Sequence, residues 1–204
     1  MASILIPRRS SEERTKNHII AIQKQIQQYI KNGSKGSLDL GKSPITSLPD
    51  NLKVVEGDLY LYNSKITKLP DNLEIGHNLI LDNTLIKSLP NNLKVNGSLY
   101  LENVPIVKLP EDLKVGYTYY LKGARIKSLP DNLKVEGYLD LSSTPITSLP
   151  NNLEVDNVLD LRHTLITKLP DDLKVKGYIY LGDTPLSRNF GLLNHYKMKY
   201  KITY

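Results

Sequence analysis

Four carboxylates invite a chemical reading. Asp82 and Glu102 stand 20 residues apart, and so do Asp140 and Asp160. Placed on adjacent rungs of a sheet, each pair would lie about 5 Å apart, the separation a retaining glycosidase needs between its acid and its nucleophile. The same pairs suit a bound Ca²⁺ ion or a lysine from another protein. A catalytic centre also needs a pocket, and an acidic ladder produces such pairs with no chemistry in view. No catalytic residue is therefore predicted. His18, His77, His163 and His195 share no metal-ligand spacing, and the chain has no cysteine for a disulfide or a thiolate site. The expectation is no metal and no cofactor.

What would position those carboxylates is a repeat. Leu-Pro occurs at Leu48-Pro49, Leu69-Pro70, Leu89-Pro90, Leu109-Pro110, Leu129-Pro130, Leu149-Pro150 and Leu169-Pro170, with a step of 20 residues throughout except a first step of 21. A fixed period of this size is the mark of a solenoid. Within each period a pair such as Leu59 and Leu61 alternates with polar neighbours, which predicts a short strand with one buried face. A small residue follows (Ser64, Thr84, Val104), then Ile66, Ile86 or Ile106, then Leu-Pro and an Asp/Asn pair of turn type. Proline offers no N–H to a ladder, so the back of each coil is predicted as 3₁₀ or extended chain rather than a second strand. Gly57, Gly97, Gly137 and Gly177 precede the strands and predict a positive φ there, with His77 and Asn157 as tolerated replacements. The single extra residue falls near Val55, where an insertion is cheap.

The pattern predicts a mostly β, α/β-type solenoid: a right-handed array of about eight 20-residue coils with a parallel β-sheet on one face. A parallel β-helix is the rival. The expected units are residues 1–36, a helical cap; 37–186, the solenoid; and 187–204, a β cap. At the N-terminal end Ser10 and Glu13 make a capping box, Ile19, Ile22, Ile26 and Ile30 form one apolar stripe, and Gly33 suits a helix stop. That stripe covers the open end of the array or meets a partner. At the other end Tyr196, Met198, Tyr200, Ile202 and Tyr204 alternate with lysines or Thr203, which predicts a half-buried strand that closes the last coil or docks another chain.

The repeat words Leu-Pro-Asp/Asn-Asn-Leu-Lys-Val-x-Gly-x-Leu-x-Leu-x-x-Thr-x-Ile resemble a leucine-rich repeat of the short bacterial type, as in the YopM and IpaH effector families. Similar repeats occur in bacteriophage proteins. The resemblance spans about 150 of the 204 residues and implies a leucine-rich-repeat-like solenoid, a scaffold reused for many roles. The IpaH ligase activity needs a separate catalytic domain with a cysteine, and this chain has neither, so no enzymatic role follows. Two departures stand out: the Asn usual after the strand is replaced by Ser, Thr, Val or Ala, and Val95 lies four rather than three residues before Leu99.

The net charge of +6 is uneven. Residues 1–36 carry +5, residues 187–204 carry +4, and the repeats between them carry −3. On those sums a basic stripe along the array is absent and nucleic acid is an improbable partner. The outward strand positions are richer. One column holds Tyr60, Ile80, Tyr100, Tyr120, Asp140, Asp160 and Tyr180; its neighbours hold Tyr138 and Tyr178 on one side and Tyr62, Asp82, Glu102, Lys122 and Arg162 on the other. Seven of the thirteen tyrosines fall on this one face, with six carboxylates against Lys122 and Arg162. Tyrosine suits interfaces, although it is also simply a good strand residue. The expected function is a non-enzymatic protein-binding module whose partner has a basic surface. Two alternatives are kept: a nucleic-acid-associated or phage–host accessory protein using basic ends (Arg8, Arg9, Lys197, Lys199, Lys201), and a glycan-binding solenoid. No membrane-length apolar run and no signal peptide are seen, so the expected location is cytoplasmic.

Overall fold

A Leu-x-Leu pair repeated every 20 residues can bury its leucines only if successive copies stack, and they do. The computed structural model describes residues 10–204. Strands Leu38–Asp39, Leu59–Tyr60, Leu79–Ile80, Leu99–Tyr100, Tyr119–Tyr120, Leu139–Asp140, Leu159–Asp160 and Tyr178–Tyr180 define coils 1 to 8 and lie side by side in one parallel sheet. Register is kept throughout, with Leu59 opposite Leu79 and Leu79 opposite Leu99. The architecture is a parallel β-solenoid. Leu59, Leu61, Ile66, Leu73 and Ile75 of one coil are wholly inaccessible and belong to a core that runs the length of the molecule. A fully buried aliphatic side chain contributes about 1.5–3 kcal/mol, yet only the neighbouring coils provide the cover, so stability is a property of the stack.

The small residue after the strand has a specific task. Thr84, Thr144, Thr164 and Thr184 are buried, and each hydroxyl donates to the carbonyl three residues earlier, that of Leu81, Leu141, Leu161 or Leu181. Val104 and Ala124 fill the same slot without a polar group to satisfy.

Three local expectations are corrected. First, the coil has a second ladder. Val54–Val55, Glu74–Ile75, Lys94–Val95 and Lys114–Val115 form a four-stranded parallel sheet, and Lys134–Val135, Glu154–Val155 and Lys174–Val175 a three-stranded one. Proline blocks a ladder only where it sits; three to five residues later the chain is free to pair. Second, the strand-preceding glycines do not take positive φ. That conformation falls on Asn63, Asn83, Asn103, Gly123, Ser143 and His163 just after the strand, and on Asn72, Asn92, Asn132 and Asn152 after Leu-Pro. The glycines answer to crowding instead: a Cβ on Gly97 would meet the His77 carbonyl at 2.7 Å, and one on Gly76 would overlap the Glu56 carbonyl. The glycine alternates between two adjacent sites, Gly57, Gly76, Gly97, Gly116 and Gly137 in successive coils.

Third, the C-terminal segment is not one strand. Phe190–Lys197 is a helix (α2, with α1 the N-terminal helix Ser11–Lys31), and only Lys201–Thr203 is extended. Asn189 caps α2 by accepting from the Leu192 N–H. Alternation over Tyr196, Met198 and Tyr200 reads as period two, but Tyr196 and Tyr200 are also four apart. Both are buried while Met198 is exposed. Their hydroxyls reach into the last coil: Tyr196 accepts from the Leu169 N–H and donates to the Leu169 carbonyl, and Tyr200 donates to the Leu173 carbonyl. The strand then adds a ninth member to the sheet beside Tyr178–Tyr180. At the other end α1 starts at Ser10, whose hydroxyl accepts from the Glu13 N–H, and closes at Gly33 with φ +83°. Its Ile22 and Ile26 join the core, so the isoleucine stripe covers the first coil. Arg8 and Arg9 lie outside the described residues.

Candidate functional site

The sheet register sets Tyr60, Ile80, Tyr100 and Tyr120 on consecutive rungs. All four are half-buried. Tyr100 and Tyr120 stack with ring centroids 4.5 Å apart and planes 20° from parallel, and Tyr138 meets Tyr120 edge-on at 6.0 Å. Burial and the neighbouring Tyr120 raise the Tyr100 pKa. Beside this stack lie Asp82, Glu102 and Asp140. Burial raises the pKa of each. For Glu102 the charges of Asp82 and Asp140 add to the effect, and Lys122 opposes it. Asp82 accepts from the Glu102 N–H, and Asp140 from the Ser142 N–H. With Asp82 and Glu102 half-buried, Asp140 buried and Glu102 crowded by like charge, this cluster favours a partner that brings a cation.

The second carboxylate pair divides. Asp140 and Asp160 are register partners, but Asp160 has no accessible surface. Arg162 grips it, with Nη2–Oδ2 at 2.6 Å and Nε 3.0 Å from Oδ1; the Arg162 N–H and the Tyr138 hydroxyl complete its shell. Burial would raise the Asp160 pKa, but those hydrogen bonds outweigh it and hold the carboxyl below the usual range. The Tyr138 hydroxyl is pushed far up by burial and by that bond to Asp160. With every Asp160 oxygen engaged and covered, this pair offers no room for a sugar or an ion.

Other residues expected on the face are tied down locally. Tyr60 donates to Asp58. Tyr62 lies across Gly41, Arg162 stacks over Tyr180 at 5.1 Å, and Lys201 sits 5.9 Å above the exposed Tyr178 ring. The candidate site therefore contracts to coils 3–6: Ile80, Asp82, Tyr100, Glu102, Tyr120, Lys122 and the edge of Asp140.

Reasoning from sequence missed Tyr119. It occupies a leucine slot and is buried, which pushes its hydroxyl up to about 12. The second sheet is interrupted at this coil. Lys114 N–H reaches the Leu93 carbonyl and Glu154 N–H the Leu133 carbonyl, but no such bond joins Lys134 to Leu113. Burial raises the Tyr119 hydroxyl pKa, and the nearby Val115 backbone opposes that rise. A cleft of about 430 Å³ opens there between Leu113, Val115 and Leu133. The signal was visible: an aromatic where every other coil has Leu or Ile.

Among the described residues no group of three or more His, Asp or Glu is placed to hold a metal, and no helix is long and apolar enough to cross a membrane. The class that fold and face define is a parallel β-solenoid with a tyrosine-and-carboxylate wall. No protein family matches the chain, and no curated protein matches it.

Proposed function

We propose that the chain is a non-enzymatic binding module that holds a protein partner against coils 3–6 of its strand face, and that the partner contributes lysine or arginine there. We further infer that the coils are leucine-rich repeats of the short bacterial type and that the protein works in the cytosol. Supporting the repeat reading are the 20-residue period and the inward Leu-x-Leu pairs. The observation that carries the binding reading is the contrast between two acidic groups on one wall. Asp160 has its own arginine, whereas Asp82, Glu102 and Asp140 form no ion pair among the described residues, and Lys122 and Arg162 act on them only at longer range. The stacked Tyr100 and Tyr120 add a broad aromatic surface beside them, and an aromatic face attracts a cation directly.

The test selects peptides from a displayed random library on the wild-type chain and re-measures them on Tyr100→Ala/Tyr120→Ala and on Glu102→Gln. Lysine- or arginine-rich peptides should emerge, and the double variant should lose them while its melting curve stays nearly unchanged. Peptides without basic residues, or peptides that bind the double variant as well as the wild type, would sink the reading.

A further inference from the structure

A second wall shows an order that charge totals conceal. The segment between the strand turn and Leu-Pro stacks on its counterpart in the next coil. Lys65 N–H donates to the Ser43 carbonyl, Arg125 N–H to Val104 and Leu165 N–H to Ile146, with ladder bridges at Ser47–Lys68 and Lys108–Ser128. In each segment the isoleucine (Leu186 in coil 8) turns inward. The outward positions of all eight coils hold no carboxylate at all. Coil 2 gives Lys65 and Lys68, coil 3 Lys87, coil 4 Lys108, and coil 5 Arg125 and Lys127. Lys168 and Arg188 continue the row in coils 7 and 8. All are exposed, and none makes an ion pair among the described residues. Hydroxyls of Thr67, Ser88, Ser128 and Thr147 stand between them. The acids of the repeat lie elsewhere: on the strand face, in the turn after it at Asp183, or beyond the Leu-Pro corner, from Asp50, Asp71, Glu111, Asp131 and Asp171 through to the second sheets at Glu74 and Glu154.

The expectation that the array lacks a basic stripe is thereby overturned. It summed whole coils, whereas stacking sorts charge by wall. The result is a strip about 34 Å long and about 10 Å wide, four residue positions across. Its cations recur about every 5–10 Å from coil 2 to coil 5, with the hydroxyls of Ser88 and Ser128 and the exposed side chains of Leu85 and Val107 between them. A narrow, straight row of lysines and hydroxyls matches a linear polyanion better than a plane, and those side chains are the ones that contact phosphates. No aromatic side chain accompanies them, and only Arg125 and Arg188 among the eight cations carry a planar guanidinium.

We propose that this wall binds the phosphate backbone of nucleic acid without sequence preference, independently of the strand face. The probe is a fluorescein-labelled 30-base-pair DNA duplex, titrated with the full chain by anisotropy at 50–200 mM salt. Five phosphate contacts give a log–log salt slope of about −4.5, so affinity should fall about 500-fold across that range. Lys87→Glu/Lys108→Glu/Lys127→Glu should weaken binding at least ~100-fold at 50 mM salt with an unchanged melting curve. Lys24→Glu/Lys35→Glu/Lys197→Glu makes the same change in net charge at the two ends and should stay within about threefold. Absence of duplex binding at 50 mM salt would overturn the proposal, as would an equal loss in the end variant. So would wall-dependent binding to phosphatidylserine vesicles without binding to the duplex. Self-association at low salt that the wall variant abolishes would overturn it too, by assigning the wall to the acidic face of a second copy.

Discussion

Arg162→Ala isolates the energetics of one buried charge. The substitution removes three side-chain contacts to Asp160, two from Nε at 3.0 and 3.1 Å and one from Nη2 at 2.6 Å. It leaves the Arg162 N–H and the Tyr138 hydroxyl in place. Breaking a buried ion pair costs about 3–5 kcal/mol when the orphaned charge stays dry. Here the guanidinium is about half exposed, so water can follow it out, and about 2 kcal/mol is the better expectation. For a chain of this size that lowers the melting midpoint by about 4–8 °C. The pH dependence has a definite sign. Asp160 has a depressed pKa when folded, so the stability it contributes is present above the unfolded value of about 3.9 and is lost as pH falls through the folded value. In the variant the buried carboxylate loses its main counter-charge and its pKa rises. The gap between wild type and variant is therefore widest at pH 7 and closes in acid. Thermal melts at pH 7 and pH 3 measure it. A shift under 1 °C at pH 7, or the same shift at both values, would refute the account. Adding Asp160→Asn to the variant removes the orphaned charge and should recover part of the loss.

Two further outcomes follow from the geometry. Tyr119→Leu restores the residue type of the neighbouring coils and should let the second sheet close across the cleft; amide exchange at Lys134 and Glu136 should slow by tenfold or more, and unchanged exchange would mean that Tyr119 does not hold the gap open. Asp140→Asn should stabilise the fold at pH 7 by about 1 kcal/mol, since the Asn oxygen can still accept from Ser142 and the desolvated charge is gone. Because the folded Asp140 pKa is raised, its unfavourable contribution vanishes below the unfolded value, so the gain of the variant over the wild type should be largest at pH 7 and shrink at pH 3.5.

Much of the fold was written in the spacing of a few residue types. Leu59, Leu61 and Ile66 point inward because a period of 20 and an alternation of two leave them no other side, and Ser10 to Gly33 carries both ends of a helix. Legibility failed where one pattern satisfies two periods. Tyr196 and Tyr200 are two alternations apart and also one helical turn apart, and only Asn189, a capping side chain with no apolar role, tipped the balance. The second sheet was hidden because two residues, such as Lys94-Val95, are too short to show any period. For the candidate site, the columns named the right face but not its accessibility. Asp160 looks like Asp140 in sequence, and only the reach of Arg162 from the same strand and of Tyr138 from the coil before removes it from solvent. The cationic wall needed no side-chain coordinates, only the recognition that charge must be counted along columns.

The glycines that shift between two adjacent sites from one coil to the next have an evolutionary consequence. Gly57, Gly97 and Gly137 share one site while Gly76 and Gly116 share the other, and each clears room against a backbone supplied by the coil before. From coil 2 to coil 6 the packing thus repeats every two coils, and coil 7, with Asp156 and Asn157 at these sites, interrupts it. Within that stretch, tandem duplication or excision in the gene should preserve the packing better when it copies or removes an even number of repeats.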